Sequence, residues 1–139
     1  MSAESGMRIA ECGEKRIAMN NQDLKKRTFA FGIRCVRLVE KLPKGMVSEL
    51  FGRQLIRCAT SVGANYRAAA RGRSRADFIS KLGIVEEECD ESMYWIESLV
   101  EMNLIKLKQV DDLLKEANEI LSIIISSINT ARKNGKPAK

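Results

Sequence analysis

Apolar residues recur every three to four positions through four long segments of this chain, with turn-forming residues between them. That period puts the apolar side chains of each segment on one face of an α-helix, where a half-buried strand would need strict alternation. Segment one spans about Leu24 to Leu42, with Asn21 or Asp23 as its expected N-cap. Leu24, Phe31, Cys35, Leu38 and Leu42 share its inner face, and Pro43 and Gly45 end it. Segment two spans about Met46 to Ala70, with Phe51, Leu55, Cys58, Ala59, Val62 and Tyr66 inward. Segment three opens with Ser74 and Asp77 spaced as a capping box, carries Phe78, Leu82, Val85, Cys89, Ile96 and Val100 inward, and ends near Asn103. Segment four spans about Val110 to Lys133, with Val110, Leu113, Leu114, Ala117, Ile120, Leu121, Ile124 and Ile128 inward.

Four helices of similar length with short connections predict an all-α, antiparallel up-down-up-down four-helix bundle over residues 21–134. Residues 1–20 read as a flexible N-terminal tail and 135–139 as a C-terminal one. The length of 139 residues suits a single domain with a real core. Only 2 prolines, 9 glycines and 5% aromatics argue against a sheet-rich alternative.

The absence of histidine removes the commonest general base and metal ligand. Ser61 has no base beside it for nucleophilic chemistry, and Glu87, Glu88 and Glu91 share one helix with no Glu-x-x-His to complete a two-metal site. The expectation is therefore not an enzyme, with no cofactor and no metal. Cys12, Cys35, Cys58 and Cys89 are widely spaced, as small apolar fillers in a reduced, cytoplasmic protein would be. The charged first 20 residues do not form a secretory signal, and the greasy run from Ile120 to Ile128 is too short to span a bilayer, so no membrane partner is expected.

Charge is unevenly placed. Residues 21–73 hold twelve basic and three acidic side chains, whereas residues 74–103 hold two and eight. The basic half marks candidate phosphate contacts: Lys25, Lys26, Arg27, Arg34, Arg37 and Lys41 on segment one, and Arg53, Arg67, Arg71 and Arg73 around segment two. Alternatively, the basic and acidic regions neutralise each other within or between subunits. Aromatics are too few and too apolar in placement for a base-stacking platform.

Two helices carry a second apolar stripe. Segment one adds Phe29, Ile33 and Val36, and segment three adds Ile84, Trp95 and Met102. Large apolar stripes left in water are rare on monomers, so these six residues are expected at oligomer interfaces on outer helix faces. Segment two also places polar residues within or beside its apolar arc: Gln54, Arg57, Ser61 and Asn65. Buried polar groups need partners, and Glu88 and Glu91 are the nearest carboxylates, with Arg57 expected bidentate on one of them.

The stretch Gln54-Leu55-Ile56-Arg57-Cys58-Ala59-Thr60-Ser61-Val62-Gly63-Ala64-Asn65-Tyr66-Arg67, with Asp77 to Leu82 and Glu88 to Ile96, resembles the four-helix-bundle proteins encoded in intervening sequences of bacterial 23S rRNA genes. The resemblance covers about residues 21–130 and departs at Ala68, where related chains usually carry Glu. It implies a small bundle that assembles as a homo-oligomer, a pentamer in relatives. A related branch, the accessory proteins of diversity-generating retroelements, implies RNA or DNA and a reverse-transcriptase-like protein as partners. The resulting expectation is a non-catalytic oligomeric protein that binds the phosphate backbone or scaffolds a nucleic-acid enzyme. The alternative is a protein–protein adaptor with no nucleic-acid role.

Overall fold

The computed structural model describes residues 9–135, with side chains from residue 22 onward. Four α-helices account for nearly all of it: α1 (Ile9–Glu40), α2 (Met46–Ala70), α3 (Arg75–Glu101) and α4 (Leu107–Asn134). Each helix packs against its neighbour in sequence, and α4 closes against α1, so the four form a bundle. Close contacts pair early residues of one helix with late residues of the next. Gly63 meets Thr28 while Gly52 meets Val39, and Gly135 lies near Arg75 while Cys89 meets Ala117.

The inner faces read from the helical period are buried: Leu24, Phe31 and Cys35 on α1; Leu55, Cys58, Ala59, Val62 and Tyr66 on α2; Leu82, Val85, Cys89 and Ile96 on α3; and Val110, Leu113, Ala117, Ile120, Ile124 and Ile128 on α4. Leu38, Leu42, Phe51, Phe78, Val100, Leu114 and Leu121 pack half-buried around them. Cys35, Cys58 and Cys89 are free thiols inside this core, and burial pushes all three up, Cys89 to about 12.

Helix ends follow local chemistry. Proline lacks an N–H and disfavours helical geometry in the residue before it, and α1 stops at Glu40, three residues short of Pro43. Ser74 Oγ accepts from the Asp77 N–H at 3.1 Å, one half of the expected box; the Asp77 carboxylate turns instead to Lys81 at 3.3 Å. Asn103 takes the left-handed conformation (φ 59°) that ends α3, and the Leu104 N–H reaches back to Leu99 O at 3.0 Å.

One boundary differs from the reading of the sequence. α1 begins at Ile9, so Asn21 and Asp23 lie inside a helix rather than capping one, and residues 9–20, read as tail, share that helix. Residues 1–8 and 136–139 lie outside the described residues.

The α1/α2 contact is unusually close. A Cβ on Gly32 would sit 3.1 Å from Ala59 O, and one on Gly63 would sit 3.1 Å from Thr28 O. Glycine at both positions lets the two backbones approach without side chains between them. This places a cleft on the outside of the α1/α2 seam, described below.

Candidate phosphate-binding surface

The basic residues fall into two classes once their neighbours are known. The first class is neutralised. Arg27 extends from α1 to α4, where Nε and one terminal nitrogen donate to the two carboxylate oxygens of Glu116 at 3.0 and 2.7 Å. The same guanidinium reaches Glu119 at 2.9 Å and Asp23 at 3.5 Å, and its side chain is only 22% exposed. Pairing raises the Arg27 pKa further above its ordinary value, and the same hydrogen bond holds the Glu116 carboxyl below the usual range. Arg53 pairs with Glu49 one turn away at 2.9 Å. Both are candidate phosphate contacts by sequence, and each has a carboxylate in hydrogen-bond contact.

Arg57 belongs to the same class, with different geometry from that expected. It bridges two carboxylates, with one terminal nitrogen 3.3 Å from Glu88 and the other on Glu91, rather than gripping one. Its side chain is 51% exposed, so the cluster lies at the rim of the α2/α3 seam and not in the core. Gln54, also exposed, accepts from Arg57 Nε at 3.3 Å. Ser61 and Asn65 return to their own helix, donating to Arg57 O and Ser61 O at 2.8 and 2.9 Å. A long arginine stem can run along an apolar surface while its head stays in water, which explains an edge position that looked buried in the sequence.

Trp95 also has partners within its own chain. Its ring lies 5.1 Å from Phe51 and 4.9 Å from Tyr94, and its Nε1–H donates to Glu91 at 3.1 Å. The indole is half-buried against the core and its donor is satisfied within one chain. Val36 is likewise half-buried, whereas Phe29, Ile33, Ile84 and Met102 remain exposed.

The second class is unpaired. Lys25, Lys26, Arg67, Arg71 and Arg73, all expected, make no ion pair among the described residues. The fold joins them to residues the sequence reading passed over. Lys25, Lys26, Arg67 and Arg71 line one depression, beside the α2/α3 connection. Arg75 opens α3 and lies against Gly135, next to Arg132 and Lys133 in the last turn of α4. One end of the bundle thus gathers exposed cations from all four helices. Lys133 and Arg75 are more than 50 residues apart in sequence, which is why charge counting along the chain missed their meeting. Arg34 and Arg37 are exposed farther along α1, and Lys41 just past its end, towards the opposite end of the bundle.

Beside this end lies a cleft of about 220 Å³ between α1 and α2, lined by Thr28, Phe29, Gly32, Ile33, Thr60, Gly63 and Ala64, with Lys25 and Arg67 at its mouth. Among the buried polar side chains that the sequence reading missed are Thr28, whose hydroxyl donates to Leu24 O at 2.6 Å, and Ser92, which donates to Glu88 O at 2.7 Å. No helix among the described residues is long and apolar enough to cross a membrane.

The family model for the 23S rRNA-intervening sequence protein matches residues 20–126. A crystal structure of a protein of unknown function from the S23 ribosomal protein family of Bacteroides thetaiotaomicron is 34% identical, with a TM-score of 0.70. The match covers 78% of this chain and 97% of that one. No curated protein matches.

Proposed function

The chain belongs to the 23S rRNA-intervening sequence protein family, and from that premise we propose that it is a non-catalytic protein that binds the phosphate backbone of nucleic acid. The observation carrying this reading is the sorting of cations. Arg27, Arg53 and Arg57 are met by carboxylates. Lys26, Arg71, Arg73, Arg75, Arg132 and Lys133 are exposed at one end and make no ion pair among the described residues. Unpaired surface cations held on a rigid scaffold attract a polyanion by releasing its counterions, without reading sequence. A homo-oligomer, five copies by resemblance to relatives, would repeat this end around an axis and enlarge the field; a nucleic-acid enzyme such as a reverse transcriptase could share the bound strand.

The test is a titration of purified protein, stripped of nucleic acid, with labelled RNA and duplex DNA across salt concentrations. If about six phosphates are neutralised, log affinity should fall with log salt at a slope of about −4 to −5. Absence of binding at low salt would remove the reading.

A second reading, a protein–protein adaptor, draws on the opposite end. Met46 and Leu50 at the start of α2, with Met102 and Leu107 flanking the α3–α4 connection, are exposed apolar side chains. Capture of a defined protein partner that is lost on Leu50→Asp would favour it.

A further inference from the structure

We propose that the start of α2 is a binding site for a tetrahedral oxyanion of the phosphate class, at the end of the bundle opposite the basic end. A helix opens with N–H groups that have no carbonyl one turn behind them. The first bond into α2 is from Glu49 N–H to Gly45 O at 3.0 Å, so the N–H groups of Met46, Val47 and Ser48 precede the ladder. The residue before the helix is Gly45, which has no side chain to cap them. At the start of α3 that position is filled by Ser74, whose Oγ accepts from Asp77 N–H.

A buried hydroxyl adds a second, independent demand for a ligand. Ser48 is only 6% exposed, and its Oγ has no hydrogen-bond partner, alone among the buried side-chain polar atoms of the described residues. Its position in the helix explains this. Other helical serines donate to the carbonyl four residues back: Ser61 to Arg57, Ser92 to Glu88 and Ser98 to Tyr94. Four residues before Ser48 is Lys44, which lies outside the helix and does not present its carbonyl in line. A buried hydroxyl left unpaired is costly, and an acceptor from a ligand removes that cost.

Ser48 lines a depression of about 350 Å³ together with Lys44, Gly45 and the apolar side chains of Val39, Leu42 and Pro43. Lys44 is exposed and makes no ion pair among the described residues. Glu49 is the one carboxylate in the lining, and Arg53 engages it at 2.9 Å. The donor set is three N–H groups at the positive end of a helix dipole, a hydroxyl and an ammonium. Such a set favours a compact anion with several acceptor oxygens over a cation or a neutral ligand. Free phosphate and a phosphate of a nucleic-acid backbone present the same oxygens, and the experiment separates the two sources.

The isotope-labelled full chain, stripped of nucleic acid, is titrated with inorganic phosphate against chloride at constant ionic strength, and amide shifts are read by NMR. The amides of Met46, Val47 and Ser48 should move together and saturate with a Kd of about 1 mM. Gly45→Asp supplies an internal cap. A Cβ there meets nothing within 4 Å and the backbone is extended, so the variant should fold. Its carboxylate should occupy the same amides and weaken phosphate binding about tenfold. Ser48→Ala should weaken binding about fivefold, yet melt no lower than wild type in phosphate-free buffer, because no internal partner is lost. A short single-stranded RNA is then added without phosphate. Movement of the three amides, abolished by Gly45→Asp, identifies a backbone phosphate as the occupant; amides that respond only to inorganic phosphate identify the free ion. No saturable shift at these amides, or equal phosphate affinity in Gly45→Asp, overturns the proposal. So does a Ser48→Ala variant that melts lower, since the hydroxyl would then have a partner within the chain. Phosphate shifts confined to Arg71, Arg73 and Arg75 also overturn it and leave the basic-end reading standing, so the two can fail separately.

Discussion

The helix seams and the basic end of the bundle use the same residue types to opposite effect. At the α1/α4 seam, Arg27 lies among three carboxylates and is mostly shielded from water. At the α2/α3 seam, Arg57 lies between two. At the bundle end, Arg71, Arg73, Arg75, Arg132 and Lys133 have no carboxylate within ion-pair reach among the described residues. The lesson is that the chain's net charge of +6 predicts little by itself. Tertiary pairing decides which cations hold helices together and which remain available to a polyanion.

The largest effect on the seam side should come from Trp95→Ala. The indole packs on Phe51 and donates to Glu91, so its removal should cost the subunit about 3 kcal/mol, read by urea denaturation. A stability change under about 0.5 kcal/mol would remove Trp95 as a determinant of subunit stability. Arg27→Ala comes next, at about 2 kcal/mol, because hydrogen bonds to charged, partly buried groups exceed neutral ones. The same variant should leave nucleic-acid affinity nearly unchanged, which separates the seam from the end.

Acid sharpens the same contrast. Glu116 has a folded pKa below its ordinary 4.5, so the folded state disfavours its proton. Its contribution is present above about pH 4.5 and is lost as pH falls through the depressed folded value. Denaturation midpoints followed downward from pH 6 should fall more steeply for wild type than for Glu116→Gln; parallel curves would remove the Arg27–Glu116 pair as a stability determinant. Arg57→Ala should cost no more than about 1 kcal/mol, since a half-exposed bridge is screened by water. Smallest of all, Arg73→Ala should leave stability within about 0.5 kcal/mol of wild type, because the side chain is exposed and makes no ion pair among the described residues.

These regions were not equally legible in the sequence. The limits of α2 and the inner faces of all four helices follow from apolar spacing, because core burial imposes the 3.6-residue period directly. The start of α1 did not, because Asn21 and Asp23 suit a cap but are also tolerated inside a helix held by packing. Thr28 reads as polar and is buried, since its hydroxyl is satisfied within its own helix at Leu24 O. The Arg27–Glu116 pair spans 89 residues, and no local pattern announces which helix faces which. The same long-range meeting brings Arg75 to Arg132 and Lys133, so half of the basic end became visible only with the fold.

The central claim is that pairing, not charge count, assigns the cations their roles. Two triple variants carrying equal charge loss test it most directly: Arg71/Arg73/Arg75→Ala at the end and Arg27/Arg53/Arg57→Ala at the seams. Their affinities for labelled RNA are compared across salt concentrations, at a temperature where both are folded. The account predicts that the end variant loses about a hundredfold in affinity at low salt and that its salt slope flattens by about 2 to 3, while the seam variant binds within a few-fold of wild type. Equal losses in the two variants would mean that only total charge matters, and would contradict the account.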